Sequence, residues 1–282
     1  MAIPIPYNDI GKLSRDLLSK DFTTSGTRLE VKTTAPNGVT FKLGGSQDAK
    51  SGFIYGDLET KYTDRSKGVS ITETWTTRGQ LFGKIELDNN LAKGLKLDLT
   101  TSLSPATGLK NAAVGITYRQ PNLHSVAHVD LLKSHVSVDT VIGHQGLLLG
   151  AEVGYDLPSG QVTRYNSAIG YSTPDYAVAL HATSALTIFS VSFFHRLDKD
   201  TEAGGRVLYD SKADQMALEV GAKYRVSPDA ILKAKVNNLG VLALGFTQLL
   251  RPGVKINLGS MIDTARIGEV GPKMGLSFTF EN

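Results

Sequence analysis

Along most of this chain apolar and polar residues take turns one at a time. Val39, Phe41 and Leu43 alternate with Thr40, Lys42 and Gly44, and Leu95, Leu97 and Leu99 alternate with Lys96, Asp98 and Thr100. Leu232, Ala234 and Val236 do the same with Lys233, Lys235 and Asn237, as do Val254, Ile256 and Leu258 with Lys255, Asn257 and Gly259. The final run sets Met274, Leu276, Phe278 and Phe280 against Lys273, Gly275, Ser277 and Thr279. Neighbouring side chains on a strand point to opposite faces, so a period of two predicts strands with one oily and one wet face. Turn residues break the series near Pro36-Asn37-Gly38, Ser66-Lys67-Gly68, Arg78-Gly79, Ser104-Pro105 and Gln120-Pro121-Asn122. Further breaks fall near Pro158-Ser159-Gly160, Thr173-Pro174-Asp175, Ser227-Pro228-Asp229 and Pro252-Gly253. From Gly26 onward, roughly 13 or 14 residues per strand and turn gives about 19 strands, most of them long enough to cross a bilayer at a tilt.

The start of the chain has a different period. After Pro6, Tyr7, Ile10, Leu13 (or Ser14) and Leu17 fall on one side at helical spacing, with Lys12, Arg15, Asp16 and Lys20 largely elsewhere. Asn8 or Asp9 supplies a short side-chain acceptor for the exposed amides of a helix start. The expectation is one short amphipathic helix in an N-terminal segment, residues 1–25, followed by a repetitive strand body, residues 26–282. No composition shift marks a second domain.

Composition narrows the classes of function. Hydrophobic residues are 41% of 282, low for a chain with room for a large core, and 29 residues are glycine. No run approaches the roughly 18 uncharged apolar residues of a membrane helix. Met1 to Lys20 has no secretory-signal layout, and Asp9 and Asp16 make it a poor transit peptide. There is no cysteine, which excludes disulfides, thiolate metal sites and cysteine nucleophiles. A net charge of +3 is too mild to call for nucleic acid. The histidines are scattered, and no nucleophile elbow, phosphate loop or metal-spaced cluster appears. Neither an enzyme nor a cofactor site is expected.

Two architectures remain for amphipathic strands. In a soluble sandwich two oily faces meet; in a membrane barrel the oily face meets lipid and the wet face surrounds water. Charges on the wet parity favour the barrel. That parity carries Arg28, Lys32, Lys42, Lys61, Lys84, Lys96, Arg119, Arg164, Lys223, Arg225, Lys233, Lys235, Lys255 and Lys273. It also carries Glu30, Asp57, Glu59, Glu86, Asp98, Asp130, Asp139, Glu152, Asp175 and Glu219, so 14 bases face 10 acids. A soluble ligand-binding barrel needs an oily interior, which inward lysines contradict.

The residues resemble those of one family from end to end. Met1-Ala2, Pro4 through Tyr7, Asp9, Gly11-Lys12, Arg15-Asp16 and Lys20 are similar to the N-terminal helix of the mitochondrial outer-membrane porins, the voltage-dependent anion channel family. Leu58-Glu59-Thr60-Lys61-Tyr62, Leu91 through Leu97 and Ser104-Pro105 with Thr107-Gly108 resemble it as well. The most specific block is Lys223-Tyr224, Pro228-Asp229-Ala230, Ala234 through Asn238 and Gly245-Phe246-Thr247-Gln248. The likeness is to fungal more than to animal members. It implies an all-β membrane barrel of 19 strands, the number that family is already known for, with first and last strands parallel and the helix inside. A bacterial-type general porin is the alternative.

The same resemblance implies a wide pore, weakly selective for anions, that passes ATP, ADP, phosphate, organic anions and small ions across the mitochondrial outer membrane and closes under voltage. Its lumen is lined by the bases above together with Lys12, Arg15 and Lys20 from the helix. Ile10 is expected to pack near Val141 and Leu148, which the wet parity places inward. Arg15, Lys20 and Lys96 are the candidates for transient nucleotide contact; Gly94-Leu95-Lys96 and Gly108-Leu109-Lys110 resemble short runs proposed for that role in the family. Lys273, Gly275, Phe278 and Phe280 resemble its sorting signal. Glu73 shares parity with Val69, Ile71 and Trp75, so it is expected to face lipid, where a carboxylate is disfavoured. The family associates a glutamate there with gating, oligomer contacts and lipid. The partners implied are membrane lipid, passing metabolites, further copies of the chain and cytosolic regulators.

Overall fold

The structure, a computed structural model, describes residues 3–49, 51–64, 66–268 and 271–282. Met1 and Ala2 of the family-like start lie outside the described residues. Among the described residues the alternating segments form nineteen strands. They begin with β1 (Gly26–Thr34), β2 (Val39–Gln47), β3 (Ile54–Asp64), β4 (Val69–Thr76), β5 (Leu81–Asp88), β6 (Leu95–Ser104) and β7 (Leu109–Gln120). Next come β8 (Leu123–Asp130), β9 (His135–His144), β10 (Leu147–Asp156), β11 (Gln161–Ser172), β12 (Tyr176–Thr183) and β13 (Ile188–Arg196). The series ends with β14 (Thr201–Asp210), β15 (Gln215–Ser227), β16 (Ala230–Asn237), β17 (Val241–Arg251), β18 (Val254–Asp263) and β19 (Lys273–Glu281).

Each strand pairs with the next, and β1 pairs with β19 to close the sheet. Antiparallel neighbours reverse direction at every step, so an odd number leaves the last strand running the same way as the first. The seam is accordingly parallel, from Gly26 opposite Gly275 to Lys32 opposite Glu281. Closure removes the unpaired edges that an open sheet would expose to hydrocarbon. Among the described residues no helix is long and apolar enough to cross a membrane; the strands cross instead.

Alternation now sorts the wall. Leu43, Leu58, Ile71, Ile85, Leu99, Val153 and Ile169 stand exposed on the outside, with Trp75 at 59% exposure. Such a belt is costly in water and ordinary against lipid tails. The buried apolar core lies instead where the N-terminal segment meets the inner wall: Tyr7, Ile10, Val141, Ala168 and Ala179, with Leu148 packed against them.

The segment departs from the expected continuous helix. Tyr7–Asp9 is a 3-10 turn, and α1 spans Lys12–Ser19. Between them Gly11 takes a left-handed φ of +71°, and a side chain there would press on Ser192 Oγ and Ala179 Cβ. Neither Asn8 nor Asp9 caps α1; Gly11 holds the N-cap position without a side-chain bond. The break rotates α1 relative to the turn, so its buried stripe is Ser14, Leu17 and Leu18, while Leu13 is 45% exposed. Ser14 Oγ donates to the Gly205 carbonyl at 3.2 Å, which is how a polar residue comes to lie in that stripe.

Candidate functional site

The lumen is built around the seat of residues 3–25. Ile10 and Val141 are its most deeply buried large side chains, at 1% and 0% exposure. Glycines make room for the rest. A Cβ at Gly150 would meet Tyr7 at 2.8 Å and Ile10 at 3.0 Å, one at Gly204 would meet Leu17 at 3.0 Å, and one at Gly221 would meet Leu18 at 2.9 Å. Beyond α1 the backbone itself lies on the wall. A Cβ at Gly245 would fall 2.6 Å from the Asp21 carbonyl oxygen, and at Gly259 and Gly275 it would fall 2.0 and 2.7 Å from that of Thr23. Gly245 pairs with Gly259, Gly259 with Gly275 and Gly275 with Gly26, so these glycines form one track around the inner wall. Asp21 helps the chain into the track with a left-handed φ of 66°.

Under the 3-10 turn the wall is polar. Asp139 and Glu152 oppose each other across β9 and β10, and Asn166 Nδ2 donates to Glu152 at 2.8 Å. The Tyr7 hydroxyl is buried there without a hydrogen-bond partner among the described residues. Burial first, then the charges of Glu152 and Asp139, push the Tyr7 phenol up to about 12.

The contacts of α1 fix which parity faces inward, and the charges of that inner face are grouped. Glu30 lies 3.7 Å from Arg28 and 3.4 Å from Lys42. Glu86 lies 2.8 Å from Lys84 and 2.7 Å from Lys96. Glu202 lies 3.7 Å from Arg196 and 3.1 Å from Lys223, and Glu219 lies 3.4 Å from Arg206 and 2.8 Å from Lys235. Each of these glutamates is held between two cations, which leaves one positive charge per group. Arg119 pairs with Asp88, Arg164 with Glu152 and Lys32 with Glu281. Lys61, Arg225, Lys255 and Lys273 share the inward parity of their strands.

The structure changes the expected set of wall charges in two ways. Asp175 is not a wall charge; it lies in the turn between β11 and β12 because Pro174 ends the pairing. Arg196 and Arg206 join the inward bases, and Asp88, Asp156, Glu202, Asp210, Asp263 and Glu281 join the inward acids, so the surplus is narrower than 14 to 10. These residues sit at strand ends or in runs of small residues, such as Ala203-Gly204-Gly205, where alternation is weak. Lys110 falls on the outward parity of β7, so the second glycine-leucine-lysine run does not reach the lumen. Gly94 and Gly108 are turn residues with left-handed φ, and only Lys96 of the two lysines points inward.

The helix cations are engaged within their own segment. Lys12 bonds Asp9 at 3.2 Å, Lys20 bonds Asp16 at 2.7 Å, and Arg15 donates to the Asn8 carbonyl. Glu73 is exposed on the outer face between Ile71 and Trp75, with Thr60 and Gly83 opposite it. Phe278 and Phe280 lie on the outer parity of β19, their rings stacked at 6.5 Å, and Lys273 and Gly275 lie on the inner one.

Residues 3–275 match the eukaryotic porin family. The chain is 40% identical to the mitochondrial outer membrane protein porin of Neurospora crassa over the full length of both. It is 38% identical to the Candida albicans protein of the same name, covering 98% of this chain and 99% of that one. With the rat protein named non-selective voltage-gated ion channel VDAC1 it shares 33% identity over both full lengths. Among solved structures it is similar to a mutant porin of Rhodopseudomonas blastica, with a TM-score of 0.52 at 12% identity, over 80% of this chain and 89% of that one. At such identity the likeness is one of barrel fold alone.

Proposed function

The chain belongs to the eukaryotic porin family, and on that footing we propose how its lumen works as a voltage-gated pore of the mitochondrial outer membrane. ATP, ADP, phosphate, organic anions and small ions diffuse through it passively, with a weak preference for anions. The observation that supports this is the pairing of two cations to each of Glu30, Glu86, Glu202 and Glu219 on the inner wall. Such groups repel cations mildly and attract anions without binding them firmly. Screening over about 8 Å at physiological salt keeps the preference modest across a wide lumen. The family is one of channels rather than enzymes, and no catalytic role is assigned to this chain.

The finer assignments rest on placement. Lys12, Arg15 and Lys20 narrow the lumen from α1, and Arg15, Lys20 and Lys96 are where a passing polyphosphate would dwell by exchanging with Asp16 or Glu86. Lys273, Gly275, Phe278 and Phe280 serve delivery to the membrane. Lipid is the constant partner; contacts with further copies of the chain and with cytosolic regulators belong to the outer face and the rims. Glu73 is the outer-face residue on which such contacts turn, and Glu73→Gln is expected to raise the heat stability of the barrel and alter its oligomer distribution in detergent; a variant indistinguishable in both refutes that role. Efflux tests the pore itself. Liposomes carrying the protein should release entrapped ATP and phosphate while retaining a large dextran, and retention of the nucleotide would contradict the proposal.

A further inference from the structure

The glycine track ends at a lysine. In the row that runs from Gly26 through Gly275, Gly259 and Gly245, the next residue is Lys233 of β16, which pairs with Gly245. A lysine in this place should fill the space that the glycines clear, yet its side chain is only 7% exposed and lies at the end of α1. Its Nζ donates to the Lys20 carbonyl at 3.0 Å and to the Asp16 carbonyl at 3.4 Å, and bridges the Asp21 carboxylate at 3.3 Å. The Asp16 carbonyl already accepts the Lys20 amide at 3.1 Å, so Lys233 is a second donor there; the end of a helix bears the negative end of its dipole, and a cation is the group best suited to it. Phe22 adds its ring, 5.8 Å from Lys233 Nζ.

We propose that Lys233 is the positioning residue that latches the N-terminal segment to the wall, by capping the C-terminus of α1 and pairing with Asp21. The segment also meets the wall through apolar packing, the Ser14 bond and a bond between His181 and the Ile10 backbone, all of them along Tyr7 to Leu18; Lys233 adds an ion pair at the far end. Lys233 holds both the helix end and the residue after it, and so fixes the register of the segment on the wall. Lys235, two residues on, marks the contrast: it approaches Phe22 at 4.9 Å but spends its charge on Glu219. The latch rests on the reading of this segment as the lumen's inner constriction only in its effect on conduction; the docking itself is independent of it.

The chain has no cysteine, so Ser14→Cys gives a single buried thiol whose rate of modification reports undocking. In full-length protein refolded into lipid bilayers, Lys233→Met, which keeps the stem and loses the charge, is expected to raise that rate about tenfold, equivalent to about 1.4 kcal/mol. Asp21→Asn should raise it less, and the double variant should add little beyond Lys233→Met alone. Lys235→Met should leave it within about twofold, since that charge has another partner. An unchanged rate in Lys233→Met, or an equal rise in Lys235→Met, overturns the latch. Bilayer recordings on the same proteins should show the voltage of half-closure shifted in Lys233→Met and not in Lys235→Met. If no variant or parent conducts, the pore reading fails while the labelling still decides the latch.

Discussion

Tyr7 shows how much one buried atom matters to the seat of the N-terminal segment. Its ring fills the space left by Gly150, while its hydroxyl is buried beside Asp139 and Glu152 with no partner among the described residues. A buried hydroxyl left unpaired costs about 1–3 kcal/mol, so Tyr7→Phe is expected to hold the segment as firmly as the parent or more so. Weaker docking, read from protease sensitivity of residues 3–25, would contradict this. The phenol also sets a pH limit. Its folded value is raised from 10.0 to about 12, so its contribution is complete below pH 10 and is lost as pH climbs through about 12. Protease protection should hold to pH 10 and fall above it in the parent, with a smaller fall in Tyr7→Phe. The track glycines act by absence. Gly259→Ala places a methyl 2.0 Å from the Thr23 oxygen, so residues 21–25 must lift. Overpacking of this kind costs about 1–3 kcal/mol, and the loss should appear in docking while the heat stability of the barrel stays near the parent's.

At the scale of elements, strands were legible and the glycine track under the segment was not. A strand declares itself by alternation, and the runs around Phe41, Leu97, Ala234 and Ile256 fall within β2, β6, β16 and β18. Turns with proline were equally plain, whereas those at Gly52, Gly146 and Gly240 did not stand out from the many glycines of the strands. Turns such as Ser184-Ala185-Leu186 were hidden as well, because they reverse the chain with left-handed residues of no special type. The helix period also hid a break, since a left-handed glycine inside an amphipathic pattern leaves the spacing of Tyr7, Ile10 and Leu17 unchanged. Inward glycines gave no signal of their own. Gly245, Gly259 and Gly275 read as small residues on a wet face, and their purpose appears only when the chain that crosses them is in place. Ile10 shares one buried cluster with Val141 and Leu148 where the turn meets the wall. Cysteines at 10 and 148 are therefore expected to crosslink in folded protein and not after denaturation. Val141→Ala should loosen the segment further, by an amount toward the lower end of the roughly 2–5 kcal/mol typical of larger truncations.

The whole molecule is an inverted globule: aliphatic and aromatic side chains outside, ionised ones around a solvent column. Its parallel seam follows from the odd strand count, and the Lys32–Glu281 pair and the bond from the Asn282 amide to the Lys32 carbonyl tie the last residues across it. The charge balance of the column is finer than the sequence suggests. The two-to-one grouping of cations around four glutamates concentrates positive charge locally, while the acids between the groups offset much of it. Removing one acid from such a group should therefore sharpen the preference for anions, most clearly at low salt. The reversal potential of the fully open pore in a planar bilayer under a KCl gradient reads this. A modest anion preference that grows in Glu219→Gln and shrinks as salt rises is the expected result; a cation preference in the parent, or no response to the substitution, would contradict it.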